Sequence, residues 1–172
     1  MLRGVRSGEV PDSALEIMKI DRDWTVAHLD VDSLEYLRNL PTELIIKIGR
    51  LKIHAFHATP DSLLEVVLPN ENDQILVDKM MRTKADLYIY AHIHKPFIRY
   101  VNGKSVINTG SVGLPLDGLT KSSYALLDLE ENRVEIAIIR VDYNLNKVIN
   151  QYNDSDYPNS EQMVKILKNA QV

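Results

Sequence analysis

The residues that could do chemistry in this 172-residue chain are histidines placed where strands are predicted to end. His92 and His94 follow the apolar run 87–90, which is β-branched and aromatic and predicts a buried strand. In an extended chain, residues i and i+2 point the same way, so the two imidazoles are expected side by side. The spacing alone leaves two interpretations open. The histidines either hold a metal in a crevice or form an ordinary surface pair.

A third histidine, His57, also stands at a predicted strand end. The apolar run 53–56 leads into a turn of small residues that Pro60 stops. If the two histidine-bearing strands are neighbours, their ends meet at one edge of a sheet, where open α/β sheets build their sites. His54 lies three residues from His57 and faces the other side of a regular strand, so only one of the two can easily point into a site.

Three short motifs follow one another along the chain: HATP at 57–60, AHIH at 91–94 and NTGSVG at 108–113. An Asn-Gly pair at 102–103, a strong hairpin signal, precedes the last of them. Together they resemble the motifs His-Gly-x-Pro, Gly-His-x-His and Asn-Pro-Gly-Ser-x-Gly of the calcineurin-like metallophosphoesterases, in particular the small bacterial and archaeal phosphodiesterase branch. The resemblance spans residues 30–145 and selects His57 for the site, which leaves His54 as a core or interface histidine.

Three positions depart from the motifs of that family. Ala58 and Ala91 stand where the family usually has glycine, and Thr109 stands where it usually has proline. Alanine costs little at a turn whose φ is negative, so these residues are interpreted as tolerated variation.

The family's first three motifs, Asp-x-His, Gly-Asp-x-x-Asp and Gly-Asn-His-Asp or Glu, do not occur in this sequence. Asp30 and Asp32 form the nearest acidic pair, but they precede apolar residues at helical spacing and are typical of a helix N-cap. The chain is therefore interpreted as the C-terminal part of a metallophosphoesterase that carries one half of a two-metal site.

The resemblance implies that His57 and His92 ligate one metal and that His94 ligates the other. The family's remaining ligands and its protonating histidine belong to the absent motifs, so no catalytic residue is assigned in this chain. Neutral imidazoles suit Mn, Fe, Co, Ni or Zn, and we expect two divalent metals per complete site, with manganese first. Asn108 and Ser111 either contact substrate, brace a metal-binding histidine, or simply hold their turn.

The leading hypothesis is a metal-dependent phosphoesterase that hydrolyses phosphodiesters or phosphomonoesters through metal-activated water, with the visible chain inactive alone. The first alternative is an inactive metallophosphoesterase-like fragment that acts as a metal-binding or assembly subunit. The survival of all three C-terminal histidines argues against it. The second alternative is a mononuclear zinc hydrolase with three histidine ligands, outside the family, for which no general base can be located.

Composition sets broader limits on function. With 45% hydrophobic and 26% charged residues, the chain can bury one core. Its formal net charge of −4 argues against a general nucleic-acid-coating surface, although metals could still bind a phosphate ester such as a small nucleotide. The absence of cysteine excludes disulfides and thiolate zinc sites. Since no apolar run is long enough to span a membrane, we expect a cytoplasmic protein.

The element pattern predicts an α/β fold, and the resemblance implies part of a four-layer α-β-β-α sandwich with mixed sheets. We expect a single domain over 1–172, with a helical segment at 1–45, the site-bearing sheet at 46–143 and a tail and helix at 144–172. The predicted helices lie at 13–20, 32–40, 72–84 and 160–169, with a polar surface stretch at 144–159. The predicted strands lie at 42–48, 51–57, 87–90, 97–101, 104–108, 123–129 and 133–141.

Without the N-terminal motifs, the inner sheet of such a sandwich would expose an apolar edge and face. The chain is therefore expected to form a homo-oligomer or to bind a partner chain that covers this sheet.

Overall fold

The computed structural model describes residues 5–130 and 133–171. The chain divides into two compact units. One contains the described residues up to Pro41 together with Asn144–Lys165, and the other contains Thr42–Tyr143 and the chain from Ile166 onward. The division into segments at 1–45, 46–143 and 144–172 stays a prediction. No helix in the described ranges combines the length and the apolar character needed to cross a membrane.

The elements follow one another as mostly short helices and strands. In chain order they are α1 (Asp12–His28), α2 (Val31–Arg38), β1 (Glu43–Ile48), β2 (Leu51–Phe56), α3 (Asp73–Met80), β3 (Leu87–Tyr90), β4 (Phe97–Val101), β5 (Lys104–Asn108), β6 (Ser122–Leu129), β7 (Val134–Val141), α4 (Leu145–Asn153) and α5 (Ser160–Asn169).

Helix α1 runs eight residues beyond the predicted end at residue 20. Apolar periodicity fades there, but Trp24 anchors the last turns. Its indole stacks on His28 with ring centroids 3.9 Å apart, and its Nε1 donates a 2.9 Å hydrogen bond to Asp156. A side-chain contact 132 residues away in sequence therefore extends this helix, and local spacing could not predict it.

Three helices begin at side-chain caps. Asp30, Asn72 and Asn144 each accept a hydrogen bond from the backbone N–H three residues later, and so start α2, α3 and α4. Helix α2 begins at Val31, one residue before the predicted start at 32. The prediction of irregular surface chain over 144–159 is wrong, because α4 lies there. The terminal helix at 160–169 is confirmed.

A mixed five-stranded sheet forms the centre of the second unit, in the order β1-β2-β3-β5-β4. Strands β2, β3 and β5 run parallel, and the edge strands β1 and β4 pair antiparallel to their neighbours. The predicted α/β fold with a mixed sheet is confirmed. The two strands that lead to His57 and His92 are direct neighbours, which the argument for a shared edge required.

Each face of this sheet is covered differently. Helix α3 packs on one face through buried Leu76 and Met80, against Tyr88 and Val106 of the sheet. The antiparallel β6–β7 hairpin packs on the other face, where its inward apolar side chains lie against Ile53, Leu87 and Ile107. The second unit is therefore part of an α-β-β sandwich, with only two strands in its second β layer among the residues described. The link between β6 and β7 was predicted at 130–132, and residues 131 and 132 lie outside the described ranges.

The interior of the sheet and its β1 edge differ in burial. His54 is fully buried and donates from Nε2 to Glu43 at 2.6 Å, which confirms it as a core histidine. All six residues of β1 are exposed, including four large apolar side chains at 43–49% exposure. The adjacent strand β2 is largely buried, so the change from buried to exposed apolar side chains falls between β2 and β1.

Asp86 links the starts of the three parallel strands β2, β3 and β5. Its carboxylate accepts a 2.9 Å hydrogen bond from the Lys52 backbone in β2 and forms a 2.8 Å ion pair with Lys104 in β5, while Asp86 itself directly precedes β3. The Lys104 ammonium and the Lys52 N–H together lower the pKa of the Asp86 carboxyl below its usual 3.8. The charged form is thus favoured in the folded state.

We predict that Asp86→Ala lowers the free energy of unfolding at pH 7 by about 1 kcal/mol, since the carboxylate is one-third exposed and its ion pair is screened. Because the folded pKa is depressed, the stabilisation is present above pH 3.8 and is lost as the pH falls through the folded pKa. Urea unfolding at pH 7 and pH 3 measures this. Glu16→Gln, at an exposed position in α1, is the control, and an Asp86→Ala effect that persists undiminished at pH 3 would contradict the prediction.

Candidate metal centre

His57 and His92 meet at the carboxyl edge of the parallel strands. In the register of β2 and β3, Ala55 lies opposite Ile89, so the chain that follows each strand emerges at the same edge. A further backbone hydrogen bond of 3.0 Å, from Ala91 N–H to the His57 carbonyl, continues the pairing past the strand ends. His57 Nε2 and His92 Nδ1 lie 3.2 Å apart as a result, with the rings edge to face.

The spacing of these two nitrogens fits a shared metal ion. Two imidazole nitrogens bound at about 2.0–2.1 Å in tetrahedral geometry are separated by about 3.3 Å. The other nitrogen of His92, Nε2, donates to the Leu64 carbonyl at 3.1 Å, which leaves Nδ1 with its lone pair directed at His57. In the absence of metal, His57 Nε2 would donate a hydrogen bond to this lone pair, and a cation could take the place of that proton.

Electrostatics also favour the ligand form of both side chains. Partial burial lowers the pKa of His57 and of His92, and for His57 the neighbouring imidazoles of His92 and His94 lower it further. Both rings are therefore neutral at neutral pH, which is the state that binds metal.

His94 is held apart from this pair. Its Nδ1 donates to the Leu114 carbonyl at 2.8 Å, which leaves Nε2 free to accept or to bind a cation. Within residues 5–130 and 133–171, no group of three or more histidine, cysteine, aspartate or glutamate side chains lies close enough together to hold a metal. The structure thus brings His57 and His92 together, while the third predicted ligand, His94, is hydrogen-bonded to a different loop.

The backbone at these histidines is not extended, contrary to the alternation argument. Strand β3 ends at Tyr90, and His92 and His94 have φ values of 52° and 56°, in the left-handed region. Each such residue costs roughly 1–3 kcal/mol of strain, so the surrounding structure must hold it. Buried Ile93 between them provides one anchor. The two imidazoles therefore diverge, with His92 directed to His57 and His94 directed to Leu114.

Asn108 and Ser111 both connect to the backbone that carries the histidines. Asn108 is fully buried, donates from Nδ2 to the Ala91 carbonyl and accepts from the Gly110 N–H at 2.9 Å. Ser111 Oγ accepts from the Leu114 N–H at 2.9 Å, and the carbonyl of Leu114 is the one that binds His94. Sequence reasoning singled out both side chains but missed the carbonyls of Leu64 and Leu114, because backbone acceptors leave no signature in residue type.

A sequence comparison over residues 16–132 matches the calcineurin-like phosphoesterase superfamily domain. The chain belongs to the calcineurin-like phosphoesterase superfamily. Members of this superfamily typically bind divalent metals, and the mixed sheet with two histidine-bearing strand ends is a phosphoesterase-type fold.

Three relatives illustrate the similarity. An uncharacterized protein of Methanocaldococcus jannaschii is 29% identical over 141 residues, which are 72% of this chain and 55% of that protein. The crystal structure of a hypothetical protein from Pyrococcus horikoshii OT3 has a TM-score of 0.78 at 25% identity, over 95% of this chain and 63% of that one. A metallophosphoesterase from Sphaerobacter thermophilus shares the fold, with a TM-score of 0.70 at 23% identity over 87% and 65% of the two chains. The chain thus spans less than two-thirds of each relative.

The alanines that replace the superfamily's usual glycines fit their turns. Neither Ala58 nor Ala91 has a positive φ, so the expectation that alanine costs little at these positions is confirmed.

Gly110 of the superfamily motif cannot be replaced by alanine as readily as the glycines at positions 58 and 91. It has φ +74°, and a Cβ there would lie 2.0 Å from Ser123 Oγ at the start of β6. Ser123 Oγ in turn donates to the Thr109 carbonyl at 2.9 Å and accepts from the Ser111 N–H at 3.1 Å. The missing side chain makes room for this serine, which ties the motif loop to the second β layer.

We predict that Gly110→Ala lowers the free energy of unfolding by about 3 kcal/mol, because left-handed strain adds to the overlap with Ser123. Gly113→Ala is the matched control in the same loop, since a Cβ there meets nothing within 4 Å and its φ is not positive. Urea unfolding of the two variants provides the measurement. Equal losses in both would show that the Ser123 contact does not constrain the loop.

Proposed function

We propose that this chain carries half of the two-metal site of a phosphoesterase, with His57 and His92 on one metal and His94 on the other. The observation that supports it most directly is the 3.2 Å approach of His57 Nε2 to His92 Nδ1, at a spacing suited to one cation. When bound, the metals would polarise the phosphate and activate the attacking water. Manganese is the metal we expect first, with Fe, Zn, Ni or Co as alternatives.

The residues of this chain would position the ligands rather than transfer protons. The Leu64 carbonyl fixes the tautomer of His92, and the Leu114 carbonyl fixes that of His94. Asn108 would brace the left-handed turn through the Ala91 carbonyl, and Ser111 would brace the loop that presents Leu114. No group here is proposed as the general acid.

A segment outside these 172 residues would supply the bridging carboxylate and the remaining ligands. Two features support this proposal. The chain spans 55–65% of its relatives, and three histidines are too few to hold two metals tightly. The exposed inner side chains Leu44, Ile46 and Ile48 would give the segment an apolar surface to cover.

The proposed substrate is a phosphate ester, and nucleotides are included in that class. Metals rather than basic side chains would neutralise the charge of the phosphate. The net charge of −4 is compatible with metals that neutralise the phosphate, and it argues against general binding of nucleic acid. The cysteine-free composition supports a reducing compartment such as the cytoplasm.

We predict that the chain alone binds Mn²⁺ weakly and does not hydrolyse bis(p-nitrophenyl) phosphate, and that fusion to the proposed N-terminal segment produces Mn²⁺-dependent turnover. His57→Ala should abolish turnover and weaken Mn²⁺ binding at least tenfold, since it removes one of two paired ligands without disturbing a positive-φ position. Calorimetric titration and the colorimetric assay measure both effects. His28→Ala, in an exposed part of α1, is the control.

Two outcomes would contradict the proposal. If the chain alone binds two metals and turns over, it contains a complete site. If neither form binds metal, the proposed metal site is wrong, and the alternative of an assembly subunit that retains the fold is favoured.

We also predict that Ser111→Ala in the fused protein weakens Mn²⁺ binding by about tenfold, because the loop that presents the Leu114 carbonyl to His94 loses its anchor. Ser155→Ala, after α4, is the comparison, since Ser155 Oγ accepts from the Tyr157 N–H and donates to the Tyr152 carbonyl, neither of which belongs to a residue that orients a histidine. Equal effects of the two variants on Mn²⁺ affinity would show that Ser111 has no specific role.

A further inference from the structure

Strand β1 ends the five-stranded sheet with an edge that no strand in the described part of the chain covers. Its sequence is Glu-Leu-Ile-Ile-Lys-Ile, and every residue is exposed. An apolar edge with unpaired backbone groups is a template for another strand, and soluble proteins usually protect such edges with charges, proline or a bulge. Here β1 pairs with β2 in an uninterrupted register over all six residues, so no bulge protects it.

We propose that β1 pairs antiparallel with β1 of a second copy of this chain across a two-fold axis. The two five-stranded sheets would then join into one sheet of ten strands. This interface does not depend on the metal site and goes beyond the proposed function.

The charges of β1 select one register for this pairing. With Ile45 on the axis opposite Ile45 of the second copy, Glu43 lies opposite Lys47 of the second copy, and Lys47 lies opposite its Glu43. Leu44 then lies opposite Ile46. The strand is therefore self-complementary in both charge and apolar character, and each dimer contains two cross-strand ion pairs.

Neighbouring registers lose this match. A shift of two residues, which keeps each face continuous, places Glu43 opposite Ile45 in one direction and opposite Gly49 in the other. Both shifts bring a charged side chain against an uncharged residue. No ion pair among the described residues includes Lys47, whose cross-strand neighbour in β2 is Lys52, so its ammonium is available to the second copy.

The two faces of β1 would contribute differently. Ile46 pairs with Ile53, so Leu44, Ile46 and Ile48 belong to the inner face on which the β6–β7 hairpin packs. Together with the same residues of the second copy they would form a continuous apolar strip across the axis. The outer face carries Glu43, Ile45 and Lys47. A segment that covers only the inner face would leave the backbone edge unpaired, so the edge-to-edge dimer is compatible with such a cover.

Charge exchange tests the register directly. Lys47→Glu places like charges at both ion pairs, and so does Glu43→Lys, so each variant alone should dimerise at least tenfold more weakly than the wild type. An equimolar mixture of the two restores both pairs, because one variant has two lysines and the other has two glutamates. The mixture should therefore regain the wild-type dimerisation constant.

Analytical ultracentrifugation of the full chain provides the measurement, with a dimer at twice the 19.6 kDa of one chain. Glu43→Lys also removes the carboxylate that binds buried His54, so circular dichroism should confirm that it folds. Ile45→Lys is the independent variant, since it places two lysines against each other on the axis and keeps the Glu43 carboxylate that binds His54. Because Ile45 is the cross-strand neighbour of His54 in β2, circular dichroism should confirm that this variant folds too. Ile20→Lys, equally exposed in α1, is its matched control and should leave the dimer unchanged.

A monomeric wild-type chain, a dimer that survives Ile45→Lys, or a variant mixture that fails to regain the dimer would each overturn the proposal. Full recovery by the mixture, together with loss in Ile45→Lys and none in Ile20→Lys, would support it.

Discussion

The parallel pairing of β2 with β3 is the interaction on which the rest of this structure depends. It aligns two strand ends from sequence segments more than thirty residues apart, and the hydrogen bond from Ala91 N–H to the His57 carbonyl prolongs that alignment to the histidines. At the opposite end of the strands, Asp86 fixes the register through Lys52 and Lys104. A shift of one residue along either strand would move one imidazole to the other face of the sheet and separate the pair.

Sequence reasoning recovered the strands around the site because each is a short apolar run bounded by turn residues. The hairpin at Asn102-Gly103 was predicted from its turn dipeptide. His54 was predicted to be a core or interface histidine because the resemblance selected His57 for the site, and it is buried. The left-handed conformation of His92 and His94 could not be predicted, because it is imposed by buried Ile93 and by Asn108, whose role depends on tertiary contacts. Helix α4 was missed since its apolar residues are few and its asparagine cap resembles ordinary loop composition.

The candidate site rests on backbone as much as on side chains. Two of the three histidines that could bind metal are oriented by a carbonyl, His92 by Leu64 and His94 by Leu114, and those carbonyls lie in loops outside the strands. Ser111 holds the loop that contains Leu114, and Asn108, at the end of β5, holds the turn at Ala91. Rigid strands therefore set the distance between the histidines, while hydrogen-bonded loops set the direction of their lone pairs.

The positive φ values of His92 and His94 also constrain how this site can change over time. Asparagine and glycine tolerate a left-handed backbone far better than alanine, leucine or β-branched residues do. A lineage that abandoned metal binding could replace these histidines with asparagine or glycine at little conformational cost, while most other exchanges would also strain the turn. The backbone thus limits the accessible replacements at these two positions independently of any selection on chemistry.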